Sequence, residues 1–115
     1  TSIEVPGDKE TLLLVDEGKA VAVFRVGSDK EDSSRGHLFS LYVDPESAGR
    51  GFGKSSLTEA MRRIRARGFM EMTLWVFANN KIANSLYEKS GFSPTGKSRT
   101  TPEWATLEIE LIATL

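Results

Sequence analysis

The sequence contains no cysteine. That excludes disulfides, thiolate metal sites and a cysteine nucleophile. His37 is the single histidine, so a metal site built from several imidazoles is excluded as well. Long apolar runs are missing: stretches such as Ala20 to Phe24 fall far short of the roughly 20 residues that span a bilayer, and no charged-then-apolar leader opens the chain. Nor does one sign of charge dominate, with 15 Lys and Arg against 16 Asp and Glu. A net charge of -1 carries no basic surplus that points to nucleic acid. What remains is a chain of 115 residues, 39% hydrophobic and 27% charged, with the composition of an ordinary globular domain around one core. A single soluble, cytoplasmic domain over residues 1–115 is expected, with no metal, no nucleic-acid partner and no membrane. The chain begins at Thr1, as after loss of an initiator methionine or excision from a longer protein.

Along the chain, residues 1–10 are polar, with Pro6 and Gly7. The β-branched, apolar runs Thr11 to Asp16 and Ala20 to Val26, separated by Glu17-Gly18-Lys19, predict a hairpin. Gly27 to Gly36 holds Gly, Ser and charges but no large apolar residue, which predicts a solvated connecting loop. His37 to Val43 is a third strand, ended by Asp44-Pro45 because proline supplies no ladder N–H. From Lys54 to Arg67, Leu57, Ala60, Met61 and Ile64 recur at helical spacing, and Gly68 follows as a C-terminal cap. The other face of that helix is basic: five Lys and Arg against Glu59 give it a charge of +4. Met70 to Phe77 is apolar on both faces, as a central strand is. Asn79-Asn80 then caps a second helix with Ile82, Ala83, Leu86 and Tyr87 at helical spacing, of which Ile82 and Leu86 read as core. After Gly91 comes a short segment, Phe92 to Lys97. Last comes a half-buried strand, Thr106 to Leu111, in which Leu107, Ile109 and Leu111 alternate with Glu108 and Glu110.

The chemistry concentrates in Ala48-Gly49-Arg50-Gly51-Phe52-Gly53-Lys54-Ser55, between a strand and the basic helix. Residues without side chains admit a phosphate close to the backbone, and the free N–H groups and dipole of a helix N-terminus attract its charge. A tight turn that binds nothing would use the same glycines. As a P-loop the segment has Ala48 where the first glycine belongs, and no Asp ends the strand Met70 to Phe77 to hold Mg²⁺. As a dinucleotide loop its spacing is G-x-G-x-G, and no acidic residue ends the next strand to hold a ribose.

Taken together, Leu41-Tyr42-Val43-Asp44-Pro45, Gly49-Arg50-Gly51-Phe52-Gly53 and the segment Asn80 to Phe92, which reads N-x-x-A-x-x-L-Y-x-x-x-G-F, resemble the GNAT superfamily of acyl-CoA-dependent N-acetyltransferases. The resemblance implies an α/β fold of the α+β type: a mixed, mostly antiparallel sheet with a central strand-helix-strand cofactor unit. It also implies acetyl-CoA as cofactor and a small-molecule or peptide amine as acceptor. The pyrophosphate would lie on the backbone of Gly49, Arg50, Gly51, Phe52, Gly53, Lys54 and Ser55, and the pantetheine arm along Leu41, Tyr42 and Val43. Asn80 would touch the cofactor, and Tyr87 would protonate the departing thiolate; packing against Ala83 is the plainer role for that ring. Ala48 departs from the family pattern [RQ]-x-x-G-x-[GA], which implies weakened rather than abolished binding. No carboxylate stands in Leu38 to Tyr42, which leaves His37, Ser40 with a water, and Glu71 as candidates for the general base, the plainer reading of His37 being a surface residue at the start of a strand. Against the family the chain is short before Thr11, where a strand and helices usually wall the acceptor site. That leaves open a neighbouring subunit completing the wall in a homodimer, and a GNAT-like domain that binds acyl-CoA or a partner without catalysis. The aromatic residues Trp75 and Trp104, with the loop Ser98 to Pro102, are candidates to line an acceptor pocket.

Overall fold

A computed structural model describes residues 9–100, 102–103 and 105–115. The hairpin forms from β1 (Glu10–Asp16) and β2 (Lys19–Ser28), turning at Glu17-Gly18. Next come β3 (Gly36–Val43), a single 3-10 turn over Pro45–Ser47, α1 (Phe52–Ala66) and β4 (Glu71–Phe77). The chain continues through α2 (Lys81–Lys89), β5 (Ser93–Thr100) and β6 (Leu107–Thr114). The six strands make one sheet in the order β1-β2-β3-β4-β6-β5. Every neighbouring pair is antiparallel except β3 and β4, which the α1 crossover makes parallel.

Alternation along the strands sorts the side chains. Leu38 of β3 and Met72, Leu74 and Val76 of β4 join Phe24, Val26 and Leu111 in the main core. Leu57, Ala60 and Ile64 of α1 and Tyr87 of α2 close that core, and Leu57 and Ile64 are fully buried. The stripe at i, i+3 and i+7 is therefore what fastens α1 to the sheet. At the start of β3 the helix comes so close that a Cβ on Gly36 would collide with the Ile64 side chain. Only glycine fits there.

The register between β3 and β4 decides where a site can form. The two strands pair at Gly36, His37 and Leu38 against Met72, Thr73 and Leu74, and no further. Beyond that, β3 continues beside β2 to Val43 while β4 continues beside β6 to Phe77. A fork opens between them, with Phe39 and Trp75 as its first unpaired residues.

Three expectations change. Gly27 to Gly36 is more than a solvated connection: β2 runs on to Ser28, and Asp29 is only 4% exposed. Ile82 is 87% exposed, because Ala83 and Tyr87 take the inward face of α2. In β6 Glu110, at 1% exposure, is buried as well as Leu111, while Leu107 is exposed; β5 brings Thr95 to the Glu110 carboxylate. Thr101 and Trp104 lie outside the described residues.

Candidate functional site

Two constructions meet at the fork. The first is the glycine turn. Gly49 and Gly51 adopt φ of 83° and 82°, a left-handed conformation that L side chains avoid. Gly51 is the residue capping α1 and offers no side-chain hydrogen bond. The first intrahelical bond observed runs from the Ser55 amide to the Gly51 carbonyl, so Phe52, Gly53 and Lys54 present the helix's opening N–H groups. A Cβ built on Gly49 or Gly51 meets nothing within 4 Å. One built on Gly53 would stand 3.5 Å from Leu86 and 3.8 Å from Val43, so the end of β3, the start of α1 and the flank of α2 converge here. The Arg50 side chain is engaged elsewhere: it donates to Asp16 at 3.1 Å and lies over the Phe52 ring.

On β3, Leu41 and Val43 are half-buried and Tyr42 is 58% exposed. Asn80 caps α2, its side-chain oxygen accepting from the Ala83 amide at 3.1 Å, while Asn84 donates to the Phe77 and Asn80 carbonyls. Tyr87 sits in the core with its ring edge-on to Phe92. Burial raises its phenol above the usual value, so it stays protonated at neutral pH. Ser40 and Glu71 are both exposed.

The second construction is a buried polar cluster, on the strand positions that alternate with the core. Thr73 and His37, cross-strand partners, stand side by side: Nδ1 of His37 lies 2.7 Å from the Thr73 hydroxyl. That hydroxyl donates to Asp29 Oδ2 at 2.7 Å. The same carboxylate accepts from Arg35 at 3.0 Å and from the Glu31 amide at 2.9 Å. Glu110 lies 3.9 Å from Arg35 and accepts from Thr95 at 2.8 Å. Burial raises the carboxyl pKa of Asp29, but the Glu31 amide, Thr73, His37 and Arg35 outweigh it and leave the group below its usual range. For His37, burial pushes the imidazole below its usual value, against the pull of Asp29 and Glu110.

A pocket of about 320 Å³ opens beside this cluster, lined by His37, Phe39, Trp75 and Arg99 among others. The Arg99 guanidinium lies 4.2 Å above the Trp75 ring, a cation–π arrangement. Trp75 and Arg99 thus line a pocket rather than packing only in the core.

The family model described as Acetyltransferase (GNAT) family matches residues 3–92. The chain belongs to the GNAT family. A mycothiol acetyltransferase of Beutenbergia cavernae is 36% identical over 88 residues, which is 76% of this chain and 30% of the relative. A [ribosomal protein bS18]-alanine N-acetyltransferase of Haemophilus ducreyi is 39% identical over 56 residues, covering 49% of this chain and 39% of the relative. The matched stretches are thus about a third of the length of these curated relatives. Among solved structures, the ribosomal-protein-S18-alanine N-acetyltransferase of Escherichia coli superposes with a TM-score of 0.79 at 24% identity, covering 93% of this chain and 69% of that one. The paia N-acetyltransferase of Thermoplasma acidophilum, in complex with coenzyme A, gives 0.68 at 24% identity, covering 90% and 60%. At that identity the likeness establishes the fold: the mixed, mostly antiparallel sheet expected of a GNAT chain.

GNAT acetyltransferases use acetyl-CoA, and this chain's glycine turn fits such a group. Two left-handed glycines leave open space where side chains would stand, in front of a helix start with no side-chain cap. The GNAT motifs pointed to that turn and to Tyr87. They did not point to Asp29, Arg35, Thr73 or Glu110, which the fold gathers from three separate segments. Thr73 carried one signal: a polar residue between Met72 and Leu74 in an otherwise apolar strand.

Proposed function

We propose that the chain transfers an acetyl group from acetyl-CoA to a primary amine by direct attack within a ternary complex. The observation that carries this reading is the convergence of an uncapped helix start, behind two left-handed glycines, with a fork between parallel strands in a GNAT chain. When bound, acetyl-CoA supplies a thioester carbonyl open to attack and a thiolate able to leave.

The chain's own residues do the rest. Backbone N–H groups from Gly49 to Lys54 would hold the pyrophosphate, aided by the dipole of α1, while the Ser55 amide is already bonded to the Gly51 carbonyl. The main chain of Leu41, Tyr42 and Val43, on the side of β3 that β4 has left, would hold the pantetheine arm as an added strand and would supply backbone donors to it. Asn80 uses its side-chain oxygen on Ala83, so its side-chain NH₂ is the part that reaches the cofactor. Tyr87 keeps a proton on Oη at neutral pH and gives it to the leaving sulfur. Relatives named for mycothiol and for a ribosomal-protein alanine support a small-molecule or peptide amine as acceptor.

The test is CoA release across a panel of peptide N-termini, lysine, polyamines and aminoglycosides. Steady release with at least one amine is expected. Acetyl-CoA binding with no release from any amine would instead leave an acyl-CoA-binding module.

A further inference from the structure

We infer that His37 is the general base of this site, held in its reactive tautomer by the relay Asp29–Thr73–His37. The inference rests on the acetyl-transfer reading above and adds the residue that prepares the acceptor.

Proton counting along the relay fixes the tautomer. Thr73 has one hydroxyl proton, and the ionised Asp29 carboxylate, 2.7 Å away, takes it as a hydrogen bond. The oxygen of Thr73 is then an acceptor for its other neighbour. Nδ1 of His37, also at 2.7 Å, must therefore be the N–H donor. That leaves the lone pair on Nε2, the nitrogen Thr73 does not hold. Arg35 and the Glu31 amide keep Asp29 ionised, so the direction of the relay does not reverse at neutral pH. The Phe39 ring, edge-on at 4.7 Å, restricts the imidazole from the side.

Position makes this lone pair useful. His37 sits one residue before the last paired position of β3, and the pocket beside it is bounded by Phe39 and Trp75, the first residues past the fork. An amine reaching the fork from that pocket passes the imidazole. The charged groups facing the ring are Asp29 and Arg35 from the loop before β3, Arg99 from β5 and Glu110 from β6. Lys30, Glu31 and Glu108 lie further out on the pocket wall. The step is a proton transfer: an N–H bond of the acceptor ammonium breaks, an Nε2–H bond forms, and the amine keeps its electron pair for attack. The imidazolium returns the proton to solvent.

His37 being the single histidine, its ring gives one unambiguous set of signals in long-range ¹H–¹⁵N NMR of the labelled chain. The expected result at pH 7 is a neutral ring protonated on Nδ1, giving way to a mixture of tautomers in Thr73→Val. His37→Gln should slow acetyl transfer about 100-fold, the scale of general base catalysis, with acetyl-CoA affinity kept within about twofold. It should also abolish the acid limb of the pH–rate profile. An Nε2–H tautomer in the unmodified protein, or a His37→Gln rate within about threefold of it, would overturn the assignment. Failure to bind acetyl-CoA in the first place would mark failure of the acetyl-transfer reading, and the base would fall with it.

Discussion

The glycine turn and the polar cluster sit on either side of one strand fork, yet they are made of different material. The turn is backbone: Gly49 and Gly51 supply conformation, and α1 supplies N–H groups that no side chain caps. The cluster is side chain throughout, with Asp29, Arg35, His37, Thr73 and Glu110 brought from β3, β4, β6 and a loop. A backbone cradle tolerates a change of side chain at its margins, so Ala48 in place of Arg or Gln is expected to weaken an anion site there rather than abolish it. A side-chain relay does not, since each member fixes the proton position of the next. The turn thus depends on backbone conformation, and the cluster on the identity of each side chain.

Substitutions can separate the two halves. The largest effect is expected from Tyr87→Phe, which keeps the packing against Phe92 and removes the hydroxyl. Turnover should fall by about 100-fold while acetyl-CoA affinity is unchanged, measured by steady-state rates and calorimetry. An unchanged rate would remove Tyr87 from the chemistry. Gly36→Ala should come next, on stability: its methyl group meets the buried Ile64 side chain, and overpacking costs about 1–3 kcal/mol. Denaturant unfolding would show it, together with loosening of His37 next door. Gly51→Asp acts on the cradle: the left-handed backbone there costs an L residue about 1–2 kcal/mol of stability, and the carboxylate occupies the anion's place, so acetyl-CoA affinity of the folded chain should drop about tenfold.

The smallest effect concerns pH. His37 has a folded pKa below the usual 6.5, so between the two values the unfolded chain binds more protons. Its contribution to stability is full above about pH 6.5 and is lost as pH falls through the folded value. Melting temperature should therefore decline from pH 7 to 5 in the unmodified protein and decline less in His37→Gln.

The same contrast explains what could be read in advance. Most strand and helix positions followed from period-2 and period-3.6 apolar patterns, but β5, read only as a short segment from Phe92 to Lys97, is exposed along its length and carries no such pattern; the glycine turn is contiguous in sequence, and spacing marked it as a turn. The polar cluster spans Asp29 to Glu110, and only strand register brings its members together. Asp29 lay among loop charges, and Glu110 stood where alternation assigns solvent. Neither position signals burial until β6 is placed beside β4 and β5 beside β6. Ile82 misled for the opposite reason: an apolar residue at helical spacing in a first turn that faces outward.

The backbone of Gly49 to Lys54, at the mouth of the fork, is proposed to bind acetyl-CoA, and calorimetric titration of the chain with acetyl-CoA tests this most directly. Saturable heat at one site per chain is expected, with the affinity about tenfold weaker in Gly51→Asp. No heat at millimolar acetyl-CoA, from a chain that melts cooperatively, would contradict it.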